Sequence, residues 1–70
     1  MAPRKAMLPA AAMEKLLKKA GAERVSDDAK DRLVEALEEY ALKIGEKAWR
    51  LAQHAGRKTI KSSDIREAVK

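Results

Sequence analysis

Cysteine and phenylalanine are absent from this 70-residue sequence, and tryptophan and tyrosine occur once each. Without thiols, neither disulfides nor a thiolate metal site can staple the fold. Two aromatic rings give little stacking surface for single-stranded nucleic acid. One histidine makes no zinc site without cysteines or well-placed carboxylates. No run of about 18 apolar residues occurs, which excludes a membrane-spanning helix, and the N-terminus lacks the apolar core of a signal peptide. Those two absences point to an intracellular, cytoplasmic protein. A chain of this length is one domain at most and has only a marginal core of its own. With no covalent staple at hand, oligomerisation is the remaining common remedy.

What the sequence does have is one long helical run, from Asp27 to about Ala55. Ser26 is a good N-cap, Asp27 and Asp28 complement the helix dipole in the first turn, and His54 followed by Gly56 marks the stop. At 1.5 Å per residue the rod is roughly 43 Å long. Leu33, Leu37, Ala41, Ile44, Ala48, Leu51 and Ala55 recur at spacings of three and four. Val34, Leu42 and Trp49 widen this stripe on one side and Tyr40 on the other. The apolar arc then spans about 200°, twice the width of an ordinary surface helix. Two short flanking helices cover only part of it, so the sequence predicts an obligate dimer with Leu33, Leu37, Ala41, Ile44, Ala48 and Leu51 as its core.

The net charge of +5 is unevenly distributed. Residues 1–25 carry +4, residues 26–55 carry −2 and residues 56–70 carry +3. Positive charge therefore sits on the ends and connections, which suits a polyanion touching the edges of a dimer. Solvated lysines serving only solubility account for the charge equally well.

Residues 1–7 show no periodicity and read as a loosely held extension, in which Arg4 and Lys5 are solvated cations. Pro9 suits a first helical turn, and a helix follows from Ala10 to Ala20 with Met13, Leu16, Leu17 and Ala20 inward and Lys15, Lys18 and Lys19 on the opposite face, either a phosphate-facing patch or simply the wet side. Amphipathic basic helices also lie on membranes, but this apolar face is two turns long and carries no aromatic. Gly21 ends the helix. Glu23–Val25 and Thr59–Ile60 read as short extended pieces. In an antiparallel crossing of two rods the first loop of one chain meets the second loop of the other, gathering Arg24, Ser26, Arg57, Lys58, Thr59 and Lys61 at each end. Ser62 or Ser63 is expected to cap a last helix through Lys70, with Ile65, Ala68 and Val69 inward. No phosphate-binding glycine loop, no Cys/His cluster and no nucleophilic serine motif is present. The carboxylate pairs Asp27–Asp28 and Glu38–Glu39 are adjacent, so they point to different helix faces and form no acid–base dyad. The residues point away from an enzyme, and to no cofactor.

The order short helix, long helix, short helix, joined by two basic loops, resembles the all-α histone fold. The words AGAERVSDDA (Ala20–Ala29) and HAGRKTIK (His54–Lys61), with Leu8-Pro9 and Asp64-Ile65, resemble the archaeal histones over about Leu8 to Lys70. That resemblance implies a histone-fold domain over residues 8–70, an intertwined handshake homodimer, and sequence-tolerant wrapping of double-stranded DNA on the chromosome. It implies Arg24 in the minor groove, steadied by Thr59 of the partner loop; Lys58, Lys61 and Arg57 at phosphates; and Lys15 and Lys18 on the DNA side of the first helix. It implies an ion pair between Arg57 and Asp64 fastening the second loop, and a dimer–dimer contact through Leu51, His54 and Asp64. Glu67 stands in that contact at a position commonly apolar in the family, where a carboxylate weakens or reshapes the joint unless a cation meets it. Gly21 lies where turns of a stacked superhelix approach. The competing reading is a histone-fold adaptor that heterodimerises inside a transcription or centromere-type complex; basic residues in both loops favour packaging.

Overall fold

The computed structural model describes residues 7–70, which form α1 (Ala10–Lys19), α2 (Asp27–His54) and α3 (Ser62–Ala68), with no strand among them. This is the all-α, short–long–short order of the histone fold. The expected extended pieces at Glu23–Val25 and Thr59–Ile60 pair with no strand among the described residues and remain loop. A strand needs a ladder partner, and in the expected crossing of two rods that partner lies on a second copy. Of the extension assigned to residues 1–7, Arg4 and Lys5 lie outside the described residues.

Two compact units divide between Glu38 and Glu39, within the length of α2. In the first, Met13 of α1 and Val34 of α2 are the buried apolar residues. Two polar ties fasten α1 to α2. Glu38 accepts hydrogen bonds from the backbone N–H groups of Met7 (2.6 Å) and Leu8 (3.1 Å), just ahead of α1. Lys30 reaches Glu14 at 3.4 Å while also pairing with Asp27 at 3.0 Å.

The second unit holds the rest of α2, the following loop and α3. Its buried apolar residues are all alanines, Ala48, Ala52 and Ala68. Ala52 lies outside the stripe expected from the sequence, although at 100° per residue it falls at the same angle as Val34. Of the expected dimer core, Ala48 is buried, Leu33, Leu37, Ile44 and Leu51 are half-buried, and Ala41 is exposed. Tyr40, Leu42 and Trp49 are exposed as well, and no large side chain is fully buried among the described residues.

α1 and α2 end in the same way. After α1, the N–H of Gly21 bonds the carbonyl of Lys18 and that of Ala22 the carbonyl of Leu17; after α2, Gly56 bonds Gln53 and Arg57 bonds Ala52. This double closure is a Schellman motif, and it requires a left-handed residue at its centre. Gly21 (φ +120°) and Gly56 (φ +72°) supply it. Ser26 caps α2, its Oγ accepting the N–H of Ala29 at 3.1 Å.

The start of α3 differs from expectation. Lys61, not Ser62 or Ser63, is the N-cap, and the helix ends at Ala68 rather than Lys70. A lysine side chain accepts no hydrogen bond, so the closing group comes from the other direction: Asp64 Oδ2 accepts the N–H of Lys61 at 2.8 Å. Along α3, Asp64 and Ala68 are buried, whereas Ile65 and Val69, expected inward, are exposed.

Candidate nucleic-acid interface

The cations singled out in the sequence fall into two groups, one in each unit. On α1, Lys15 and Lys19 are exposed. Lys18 is exposed too but is not free: its ammonium lies 3.2 Å from Glu14, one turn earlier. Glu14 thus meets Lys18 with one oxygen and Lys30 with the other, and the hydrogen bond from Lys18, followed by the charge of Lys30, holds its carboxyl below the ordinary value. Arg24 and Ser26 are exposed in the connection that follows. The hydroxyl oxygen of Ser26 already caps α2, leaving its O–H proton as the group able to meet a phosphate.

In the second unit, Arg57 and Asp64 meet as a fork. Arg57 Nη2 donates to Oδ1 at 2.9 Å and Nη1 to Oδ2 at 3.0 Å. Nη1 also donates to the carbonyl of Thr59 at 2.8 Å. Bidentate pairs of this type are strong and directional. Asp64 is only 6% exposed, and the Arg57 hydrogen bond, then the Lys61 N–H, depress its pKa below the ordinary 3.8. The same pair raises the Arg57 pKa. Arg57, grouped above with the phosphate-binding cations, also shapes the loop: three of its five N–H donors hold Asp64 and the Thr59 carbonyl. What the fork leaves outward are Lys58, Thr59 and Lys61, all exposed.

The resemblance gives Asp64 two roles, the loop pair and a contact with His54 of a neighbouring dimer. Its Oδ2 accepts from both Arg57 and the Lys61 N–H, while Oδ1 accepts from Arg57 alone and keeps room for one more donor. His54 is exposed at the end of α2, and Leu51 is half-buried. Glu67 is met by a cation, Lys70, at 3.0 Å. Gly21 is exposed, and a Cβ built on it would meet nothing within 4 Å. The ties made by Glu38 to Met7 and Leu8 and by Glu14 to Lys30 have no signal in the sequence, because they join residues far apart along the chain.

Exposed cations therefore lie on α1 and in both loops. Among the described residues no group of His, Asp and Glu is placed to hold a metal ion, and no helix is long and apolar enough to cross a membrane. Comparison with known proteins gives a consistent result. The family described as histone-like transcription factor (CBF/NF-Y) and archaeal histone matches residues 6–69. One of the subunits of the archaeal histone HAN1 from Thermococcus zilligii is 58% identical over 65 residues, covering 93% of this chain and 97% of that protein. Probable archaeal histone 3 of Methanocaldococcus jannaschii is 51% identical over 65 residues, with the same shares covered.

Proposed function

The chain belongs to the family of histone-like transcription factors and archaeal histones, and on that premise we propose that it is a packaging histone: a handshake homodimer that wraps double-stranded DNA on the chromosome with little regard to sequence. The observation that carries this reading is the division of labour in the second loop. Arg57 uses three of its five donors to brace the loop, and Lys58, Thr59 and Lys61 are exposed beside it. An adaptor working through protein contacts has no need of a braced loop whose free side chains are cationic.

In the proposed dimer the two rods cross, and the half-buried Leu33, Leu37, Ile44 and Leu51 become core. Each first loop then lies beside the partner's second loop, placing Arg24 at the inward-facing minor groove, with Thr59 of the partner steadying it. Lys15, Lys18, Lys19, Ser26, Lys58 and Lys61 meet phosphates on either side. Recognition of this kind reads groove shape and bendability rather than base edges. Dimers join further through Leu51, His54, Asp64 and Glu67, with the small Gly21 allowing neighbouring turns to stack. The Thermococcus relative is named as part of a multi-chain histone, which is a property of that protein; for this chain the proposed partner is a second copy of itself.

Light scattering on the purified chain, followed by nuclease digestion of its complexes with duplex DNA, tests the reading. A dimer mass and protected fragments that recur on unrelated DNA sequences are expected. A stably folded monomer at micromolar concentration, or protection confined to one sequence, would sink it.

A further inference from the structure

The second unit leaves a face of α2 uncovered, apart from the flank assigned above to the handshake. Around the buried Ala48 and Ala52, one flank of the helix carries Tyr40, Ile44 and Leu51, and the other carries Leu42, Gly45 and Trp49. A two-fold crossing of two rods presents the same flank of each to the other, and the proposed handshake takes the flank of Ile44 and Leu51. Leu42 is 64% exposed and Trp49 is 38% exposed, and at two turns' separation they stand roughly 20° apart on the helix surface.

Three features of this face point to the same occupant. Glu39, Lys43, Glu46 and Arg50 line one edge of it; all are exposed, and none makes a hydrogen bond or ion pair among the described residues, although Glu39–Lys43 and Glu46–Arg50 have the spacing for one within the helix. Their order, acid–base–acid–base, is its own complement when read backwards. Gly45 sits between Leu42 and Trp49 in the middle of a helix, where glycine is unfavourable by about 1 kcal/mol against alanine. A Cβ there would meet nothing within 4 Å, so no contact among the described residues accounts for its small size.

We propose that this face joins two handshake dimers through an antiparallel, two-fold contact between their α2 helices, centred near Gly45. A two-fold axis at that point sets the charged edge of one helix against the same edge of the other. Glu39 then meets Arg50 and Lys43 meets Glu46, each pair occurring twice. Leu42 packs on Trp49 of the second copy, also twice, and the two Gly45 residues let the backbones approach. The occupant is thus another copy of this chain, held by a surface separate from the Leu51, His54, Asp64 and Glu67 contact. This inference rests on the handshake reading given above.

The test uses the full chain without DNA, in light scattering at low and high salt. Twice the dimer mass is expected at low salt, falling to the dimer at high salt as the four exposed pairs are screened. Concentrating the protein at low salt should shift the emission of Trp49, the single tryptophan, to the blue. Leu42→Lys and Arg50→Glu should each weaken the association about tenfold or more while leaving the dimer, its helicity and its DNA mobility shift in place. The double variant Glu39→Arg/Arg50→Glu should restore it, and Gly45→Leu should weaken it even though leucine favours the helix. A dimer mass at every concentration in low salt overturns the proposal and leaves the packaging reading standing. So do an unchanged larger species in Leu42→Lys, failure of the charge swap to restore association, and loss of the larger species in His54→Ala with none in Leu42→Lys. A monomer mass for Leu42→Lys would assign this face to the handshake instead.

Discussion

Lys18 and Glu14 are paired at 3.2 Å along α1, so a cation proposed to meet DNA is partly neutralised by its own neighbour. The same Glu14 reaches Lys30 at 3.4 Å, which makes it a tie between α1 and α2 and, in the proposed complex, a brake on phosphate binding. Glu14→Gln should separate these effects. The apparent affinity for duplex DNA should rise and the slope of its logarithm against log salt should steepen by up to about one, while the melting temperature falls slightly. Mobility-shift titrations across a salt series read the first, and circular dichroism melts the second. An unchanged slope would mean that Lys18 does not touch phosphate.

Acid should unfold the protein through two named carboxylates. Glu14 and Asp64 both have folded pKa values depressed below their ordinary 4.5 and 3.8, by the Lys18 hydrogen bond and the Arg57 fork respectively. A depressed carboxyl stabilises the fold above its unfolded value and loses that contribution as pH falls toward the folded one. Melting temperature should therefore hold down to about pH 5 and decline below it. Asp64→Asn should lower the melt at neutral pH, because Arg57 loses its counter-charge, and should flatten the decline in acid. An acid profile identical to that of the parent would show that the fork contributes nothing to stability.

Removing the guanidinium of Arg24 should weaken binding to unrelated duplexes by the same factor. Loss of one phosphate-region cation reduces the salt slope by about one without altering sequence preference. Arg24→Ala measured on AT-rich, GC-rich and mixed duplexes reads this; a selective loss on one of them contradicts shape readout.

The proposed role of Glu67 bears on assembly rather than on the dimer. Its carboxylate is exposed and met by Lys70, on the surface where dimers are proposed to join. Glu67→Leu should lengthen the DNA fragments protected from nuclease, and Lys70→Ala should shorten them by leaving the carboxylate uncompensated. Identical nuclease ladders for the parent and both variants would remove Glu67 from that contact.

Helix termini give the most direct stability predictions. Ser26→Ala removes the acceptor for the Ala29 N–H and should be destabilising by about 1 kcal/mol. Gly56→Ala forces a side chain into the left-handed region at φ +72°, with a similar cost of about 1 kcal/mol. Denaturant titration at fixed protein concentration measures both, the concentration being held because a dimer's stability depends on it.

The three helices are legible in the sequence because their signals are local. Ser26 ahead of two aspartates opens α2, and Gly21 and Gly56 close α1 and α2 within a residue of where the chain closes them. The start of α3 misleads for an equally local reason: two serines advertise a cap, yet Asp64, three residues past Lys61, does the capping from inside the helix. The site residues are legible only as a set of cations. Which of them are spoken for depends on tertiary partners, as with Lys18 against Glu14 and Arg57 against Asp64 and Thr59. The grip of Glu38 on the Met7 and Leu8 backbone joins positions some thirty residues apart, and no periodicity encodes such a contact.

A lone chain in which alanines do most of the burying, and no large side chain is fully enclosed, has little to protect it from a protease. In the proposed dimer, protection comes with partnership, so the survival of a newly made chain depends on how many others are present. The unpaired, most readily degraded fraction is largest when copies are few and shrinks as they accumulate, which sharpens the difference between a sparse stock and an abundant one.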